Sequence, residues 1–196
     1  MPASTRYAIV AIWPVLLLVL AGLLPAFPQD PSYHQYADQR TLFGIAHFWN
    51  VMTNVAIAAA GLMGLVTLAK ERAITDTAVE RWLWVGVFSA VVLTAWGSVT
   101  YHSRPNVFTL YWDRLPITIT LALLMAVNLA ERVSARAALG WTLPLLILGT
   151  WSTAHWIGTE SAGVGDLRFY FAFQLICLGG IPLLWALFEP RYSGRN

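Results

Sequence analysis

Charged residues are scarce in this sequence. Asp, Glu, Lys and Arg make up 11% of its 196 residues, whereas a soluble domain carries about a quarter. The formal net charge is +2, which is too small to indicate binding to nucleic acid. The single cysteine, Cys177, excludes an intramolecular disulfide. This composition is atypical of a water-soluble enzyme, and no nucleic-acid partner is predicted.

Several catalytic motifs are also absent. The sequence has no G-x-S-x-G, no H-E-x-x-H and no glycine-rich phosphate loop, which argues against the hydrolase and nucleotide-binding classes that use them. It also has no pair of histidines four residues apart.

Long apolar blocks dominate what is present. Hydrophobic residues make up 58% of the chain, in blocks of the roughly 20 residues that cross the hydrocarbon core of a bilayer. The sequence predicts an all-α, polytopic transmembrane helical bundle in a single domain, 1–196. An extra N-terminal helix is predicted for the first block, with a cleaved signal peptide as the alternative. The six predicted spans are 8–26, 47–68, 82–100, 107–130, 138–157 and 168–188.

Basic residues predict the orientation, because Lys and Arg concentrate at cytoplasmic ends. The ends of the predicted spans on one side of the membrane have the larger number of basic residues: Arg6, Lys70, Arg72, Arg81, Arg132, Arg136, Arg191 and Arg195. The opposite ends carry Arg40, Arg104, Arg114 and Arg168. Both termini are therefore predicted to be cytoplasmic, in a bacterial inner membrane. The outer loops are then 27–46, 101–106 and 158–167.

All four histidines fall at the predicted outer ends. His102 lies four residues after Ser98, so the two share a helix face. Pro105 stops that helix, and the next span returns with Asp113 in its first two turns. A carboxylate inside a span is a functional-site hypothesis. Two plainer interpretations remain, a pairing of Asp113 with Arg114 and a water-facing His102.

Other polar residues enter from the same end. His47, Asn50 and Asn54 form one polar stripe, which fits hydrogen bonding between helices as well as a site. His34 and Asp38 are four apart, the spacing of neighbours on a short interfacial helix. Asp166 is predicted to cap the last span, and Gln174 to hydrogen-bond to another helix.

These strings together resemble the alkaline ceramidases. The resemblance rests on YHQYADQR, GIAHFWNVMTN, GSVTYH, YWDRLP and GDLRFY, the last containing Arg168. It covers about 33–192 and is similar to a small bacterial branch of a superfamily that also holds adiponectin and progestin receptor-like membrane proteins. It implies that His102 binds zinc, Ser98 assists at the zinc site, and Asp113 orients or deprotonates the zinc-bound water.

The chain departs from that family at two places. The two late zinc-binding histidines, four residues apart in the ceramidases, are missing. His47 also stands where an acid of the calcium site is expected, which makes calcium a doubtful cofactor. The missing zinc ligands must come from the same membrane face, and the predicted set is His34, His102 and His155. Asp38 is predicted to orient the ring of His34.

The expected function is that of an integral-membrane, metal-dependent hydrolase. It would cut the amide of a ceramide-like sphingolipid, with Asp113 taking a proton from zinc-bound water. The alternative is a non-catalytic lipid-binding or receptor-like protein on the same scaffold. A small transporter is a weaker possibility, because no internal repeat is evident.

Overall fold

The protein is a bundle of α-helices. The computed structural model describes residues 1–71, 75 and 77–190, and no β-strand occurs among them. Six helical spans are long and apolar enough to cross a membrane, which confirms the predicted polytopic bundle. The helices are α1 (Ala3–Leu23), α2 (Phe48–Met52), α3 (Asn54–Lys70), α4 (Ala78–Ser103), α5 (Val107–Arg132), α6 (Ala135–Ser161) and α7 (Arg168–Leu187).

Most helices in the second half of the chain extend beyond the predicted apolar blocks. Hydropathy marks the hydrocarbon-embedded part, but backbone hydrogen bonding continues into polar flanks until a side chain caps it. Thr77, Asn106 and Ser134 accept backbone N–H groups at the starts of α4, α5 and α6. His102 is therefore inside α4 rather than in a loop. Arg72, Arg191 and Arg195, which were counted for the orientation, lie outside the described residues.

The second span is broken, where one helix over 47–68 was predicted. It consists of α2 and α3, joined at Thr53. The Asn54 side chain donates to the carbonyl of Asn50 at 2.7 Å, so it satisfies a backbone acceptor beside the break. His47 precedes α2 in a left-handed conformation, with φ of 49°, which is uncommon for a residue with a side chain.

Helix α5 lies at the centre of the bundle. It packs against α4, α6 and α7, whereas α3 packs on the outside of α4 and α1 packs on α7. In the most apolar 18-residue stretch of each helix, 50% of the residues are buried in α5 but only 6% are buried in α1. The core between these helices contains Ala122, Ala126, Phe173 and Cys177. Residues on α5 are thus best placed to contact several helices at once.

The segment between α1 and α2 crosses one end of the bundle. Leu167 donates its backbone N–H to Phe27 at 3.1 Å, and the Gln29 N–H reaches the Glu160 carboxylate at 3.1 Å. A short 3-10 helix, Pro31–His34, follows. This segment, residues 24–47, is called the crossing segment. It lies over the ends of α4, α6 and α7, where the histidines are gathered.

Candidate functional site at the histidine-bearing end of the bundle

A tight hairpin between α4 and α5 forms the centre of the site. Residues 104–106 connect the two helices, and Asn106 and Thr109 cap α5 reciprocally. The side chains of Ser98 and Asp113 face each other across this hairpin, close enough to interact.

Gly97 permits the close approach of the two helices. A Cβ atom at this position would lie 2.1 Å from the carbonyl oxygen of Trp112 and 3.2 Å from the Cα of Asp113. Contacts that short do not occur, so any side chain here must force α5 away from α4. The absence of a side chain at Gly97 is therefore what brings Ser98 and Asp113 together.

His102 lies one turn beyond Ser98, under the crossing segment. Its ring centroid is 4.9 Å from that of Tyr36, and its Nδ1 is buried with no hydrogen-bond partner among the residues described. His47 is close enough to interact with it electrostatically. A buried polar atom without a partner is rare, so the Nδ1 of His102 is one atom of this site that a ligand would satisfy; the Tyr36 hydroxyl is another.

Two tyrosines connect this centre to His34. Tyr36 and Tyr101 both interact electrostatically with Asp113, and the Nδ1 of His34 lies 3.0 Å from the Tyr101 hydroxyl, in a hydrogen bond. Burial, followed by the charge of Arg114, lowers the pKa of His34. Burial also raises the pKa of Tyr36 well above its usual value. Both groups are therefore neutral at neutral pH.

Asp38 does not orient His34, which corrects that prediction. The 3-10 helix ends at His34, so the two residues do not share a helix. Asp38 instead pairs with Arg40 at 2.7 Å and accepts the Trp49 backbone N–H at 2.9 Å. The hydrogen bond from Arg40 lowers the pKa of Asp38. Asp38 therefore fixes the entry to α2, and its backbone carbonyl lies 2.7 Å from the Nδ1 of His47.

His155 belongs to a separate cluster. Its Nε2 lies 3.0 Å from Asp166, and its ring stacks on Trp151 at 5.2 Å and meets Phe169 edge-on. Asp166 also binds the Arg168 side chain at 2.8 Å. It accepts the Arg168 backbone N–H at 3.1 Å, so it satisfies a free donor at the start of α7, as predicted.

The predicted zinc ligands do not form a metal site in this structure. No group of three or more His, Cys, Asp or Glu side chains able to hold a metal ion occurs in the described part of the chain. His34 contacts tyrosines of the crossing segment and α4, whereas His155 contacts Trp151 and Phe169. The residues present do not fit a three-histidine zinc centre.

The remaining supporting residues act locally. The Asn54 side chain donates within its own span, to the carbonyls of Asn50 and Val51, rather than across helices as the polar stripe suggested. Gln174 lies within hydrogen-bonding reach of Tyr170 on the same helix. These polar groups satisfy nearby acceptors and hydroxyls, so they contribute to the helices that hold the site rather than to the site itself.

The position of Arg114 among aromatic rings was not predicted from the sequence. Arg114 forms no ion pair with Asp113 among the residues described. Its guanidinium lies 4.2 Å from the Trp156 ring centroid and 4.9 Å from that of Tyr170. The side chain donates to Gln29 and is buried, 5% exposed. The sequence does contain a signal for this buried position. Arg114 lies within the apolar block of α5, and a charged side chain in a span points into the protein.

Acid should weaken the Asp166 cluster. The hydrogen bonds from Arg168 hold the pKa of Asp166 well below its usual range. Because the folded pKa is depressed, the resulting stability is present above the unfolded value of about 3.9 and disappears as the pH falls through the folded pKa. The thermal midpoint of the wild type should therefore exceed that of Asp166→Asn at pH 7, and the gap should begin to narrow below about pH 4 and continue to narrow toward pH 3.

That experiment is a series of thermal unfolding curves in one detergent from pH 7 to pH 3. Glu189→Gln, at an exposed position at the other end of the bundle, is the control, and its gap from the wild type should not follow this profile. A constant gap between the wild type and Asp166→Asn over the whole range would contradict the assignment of the stability to the ionised carboxylate.

No model of a known protein family matches this chain, and no solved structure matches it.

Proposed function

We propose that this protein is an integral-membrane hydrolase that cuts the amide bond of a ceramide-like lipid. The observation that supports it is the approach of Ser98 to Asp113 beside Gly97, where α4 and α5 pack closely. Ser98 is also nearly buried, 9% exposed. The spacing of Ser98, His102 and Asp113, and the resemblance to alkaline ceramidases, favour the same chemistry.

In this proposal the reaction adds one water molecule across the amide. Asp113 accepts a proton as the water oxygen bonds to the carbonyl carbon, and Ser98 holds the carboxylate in place. The C–N bond then breaks, and the amine nitrogen takes the proton back from Asp113. General acid–base transfer of this kind contributes about 10²–10⁴-fold to a rate. The unpartnered Nδ1 of His102 is available to hydrogen-bond with the substrate.

Zinc is the cofactor that the resemblance implies. It would supply Lewis-acid polarisation of the carbonyl and a more acidic water. Because the three predicted histidines do not form one group, no step above is assigned to a metal. The same observation favours a second candidate function, a non-catalytic lipid-binding or receptor-like protein that uses the same site.

The location of the site belongs to the same proposal. Both termini would be cytoplasmic in a bacterial inner membrane, so that the cluster lies at the outer face. The excess of basic residues at the ends of the bundle away from the histidines supports this orientation. A site at the ends of the spans lies at headgroup depth, where the polar part of a ceramide resides.

The test is hydrolysis of an N-acyl sphingosine in phosphatidylcholine vesicles that contain the purified protein. Fatty acid release should be measured for the wild type, Asp113→Asn and His102→Ala. Asp113→Asn should lower the rate by about 100-fold or more. Asp30→Asn, at an exposed acid on the crossing segment, is the matched control and should retain the wild-type rate.

Metal content of the same samples separates the two candidate functions. Stoichiometric zinc that is lost in His102→Ala, together with hydrolysis, would favour a metal-dependent hydrolase. Ceramide binding without fatty acid release and without metal would favour the lipid-binding protein. Wild-type hydrolysis by Asp113→Asn would overturn the role given to this carboxylate.

A further inference from the structure

A cavity lies in the half of the bundle opposite to the histidine-bearing end. Its volume is about 320 Å³, at the lower end of the range for small-molecule sites, roughly 300–1,000 Å³. Its walls come from the N-terminal halves of α1 and α6 and the C-terminal halves of α5 and α7. The described lining includes Trp13, Met125 and Trp141 and contains no charged residue. An apolar ligand suits these walls.

The cavity lies beside a gap between α1 and α6, both of which line it. Among the described residues α1 packs against α7, and no Cα atom of α1 lies within 8 Å of one in α6. The indole of Trp13 donates to the Ile176 carbonyl at 3.2 Å. At Gly179, a Cβ would lie 2.6 Å from the Trp13 ring. These contacts hold α1 on α7 and leave the gap beside α6.

Basic residues adjoin the same cavity at the end of the bundle. Arg132 and Arg136 flank the lining residues Val133 and Ala137. Arg132 donates to the Phe188 carbonyl at 3.2 Å, and its Nε is buried with no hydrogen-bond partner in the described ranges.

Among the residues that the structure describes, Arg6 and Arg136 form no ion pair at this end, whereas Arg132 pairs with Glu131. The Glu131 carboxylate lies 3.7 Å from the Arg132 Nε, and Glu189 is exposed. Arg6 adds a third cation and donates to the Leu187 carbonyl. Arg136 is exposed to the surroundings. The mouth of the cavity thus combines an apolar interior with arginine N–H donors.

We propose that this cavity binds one anionic glycerophospholipid of the surrounding membrane. One acyl chain would enter through the gap between α1 and α6, and the phosphate would lie against Arg132 and Arg136. Basic pockets between spans are suited to anionic headgroups, and the apolar walls suit a hydrocarbon chain. The site is remote from Ser98 and Asp113, so this inference is independent of the proposed function.

The test compares two lipids of the same acyl chains. The protein is reconstituted in vesicles with equimolar phosphatidylglycerol and phosphatidylcholine and extracted in mild detergent. Native mass spectrometry then measures the mass of the protein with its bound lipid. One phosphatidylglycerol per chain should be retained, several-fold in excess over phosphatidylcholine. Arg136→Gln should reduce that retention about fivefold. Ala137→Phe, which fills the cavity, should abolish it.

Matched variants control for nonspecific effects. Leu139→Phe adds the same ring to an exposed position of α6, and Arg104→Gln removes an exposed arginine at the other end; both should retain the lipid. Equal retention of the two lipids, or full retention in Ala137→Phe, would overturn the proposal, as would displacement of the lipid by inorganic phosphate. If Ala137→Phe does not fold, the response of Arg136→Gln decides.

Discussion

Replacing Gly97 by alanine should destabilise the protein by about 1–3 kcal/mol or more, the usual cost of forcing extra atoms into a packed core. The new Cβ would lie 2.1 Å from the backbone oxygen of Trp112, and a backbone atom cannot swing away as a flexible side chain can. Helix α5 must therefore shift, which carries Asp113 away from Ser98. Hydrolysis should fall together with stability.

Gly158→Ala is the matched control for that substitution. Gly158 lies in α6 near the same end of the bundle, and a Cβ there would meet no atom within 4 Å. Because alanine favours a helix over glycine by up to about 1 kcal/mol, this variant should be as stable as the wild type or more stable. Unfolding in detergent, followed by tryptophan fluorescence, measures both. Equal stability of the two variants would show that the contact between α4 and α5 is not tight.

Replacing Arg114 by alanine should cost about 3 kcal/mol or more. Truncation of a large buried side chain typically costs about 2–5 kcal/mol, and each contact with an aromatic face adds about 0.5–2 kcal/mol. The guanidinium is surrounded by Trp156, Tyr170 and Tyr33. Its loss also removes the donor to Gln29. Thermal unfolding in detergent measures the effect.

Two further variants isolate the contribution of the charge. Arg104→Ala removes an exposed arginine at the same end, and its midpoint should stay within the error of the wild type. Arg114→Met keeps much of the volume of the side chain without its charge. If Arg114→Met is as stable as the wild type, the cation contributes no net stability, because its desolvation offsets its contacts. Arg114 would then hold the crossing segment by shape alone.

The six spans could be predicted because bilayer thickness sets the length of an apolar helix. Their packing order could not, since helices that are apolar on all sides give no indication of which face is buried. The central position of α5 is known only from the tertiary structure. The break at Thr53 depends on contacts around α2, and no glycine or proline near it marked its position.

At the histidine-bearing end, the sequence by itself determined the α4–α5 hairpin and the approach of Ser98 to Asp113. A short connection ended by Pro105, together with the fixed rise of a helix, places residues at matching depths on two adjacent helices. The partners of the other histidines were decided by the tertiary structure. His34 contacts Tyr101, His47 contacts the carbonyl of Asp38, and His155 contacts Asp166. These contacts depend on helix rotation and on the path of the crossing segment, which sequence spacing does not specify.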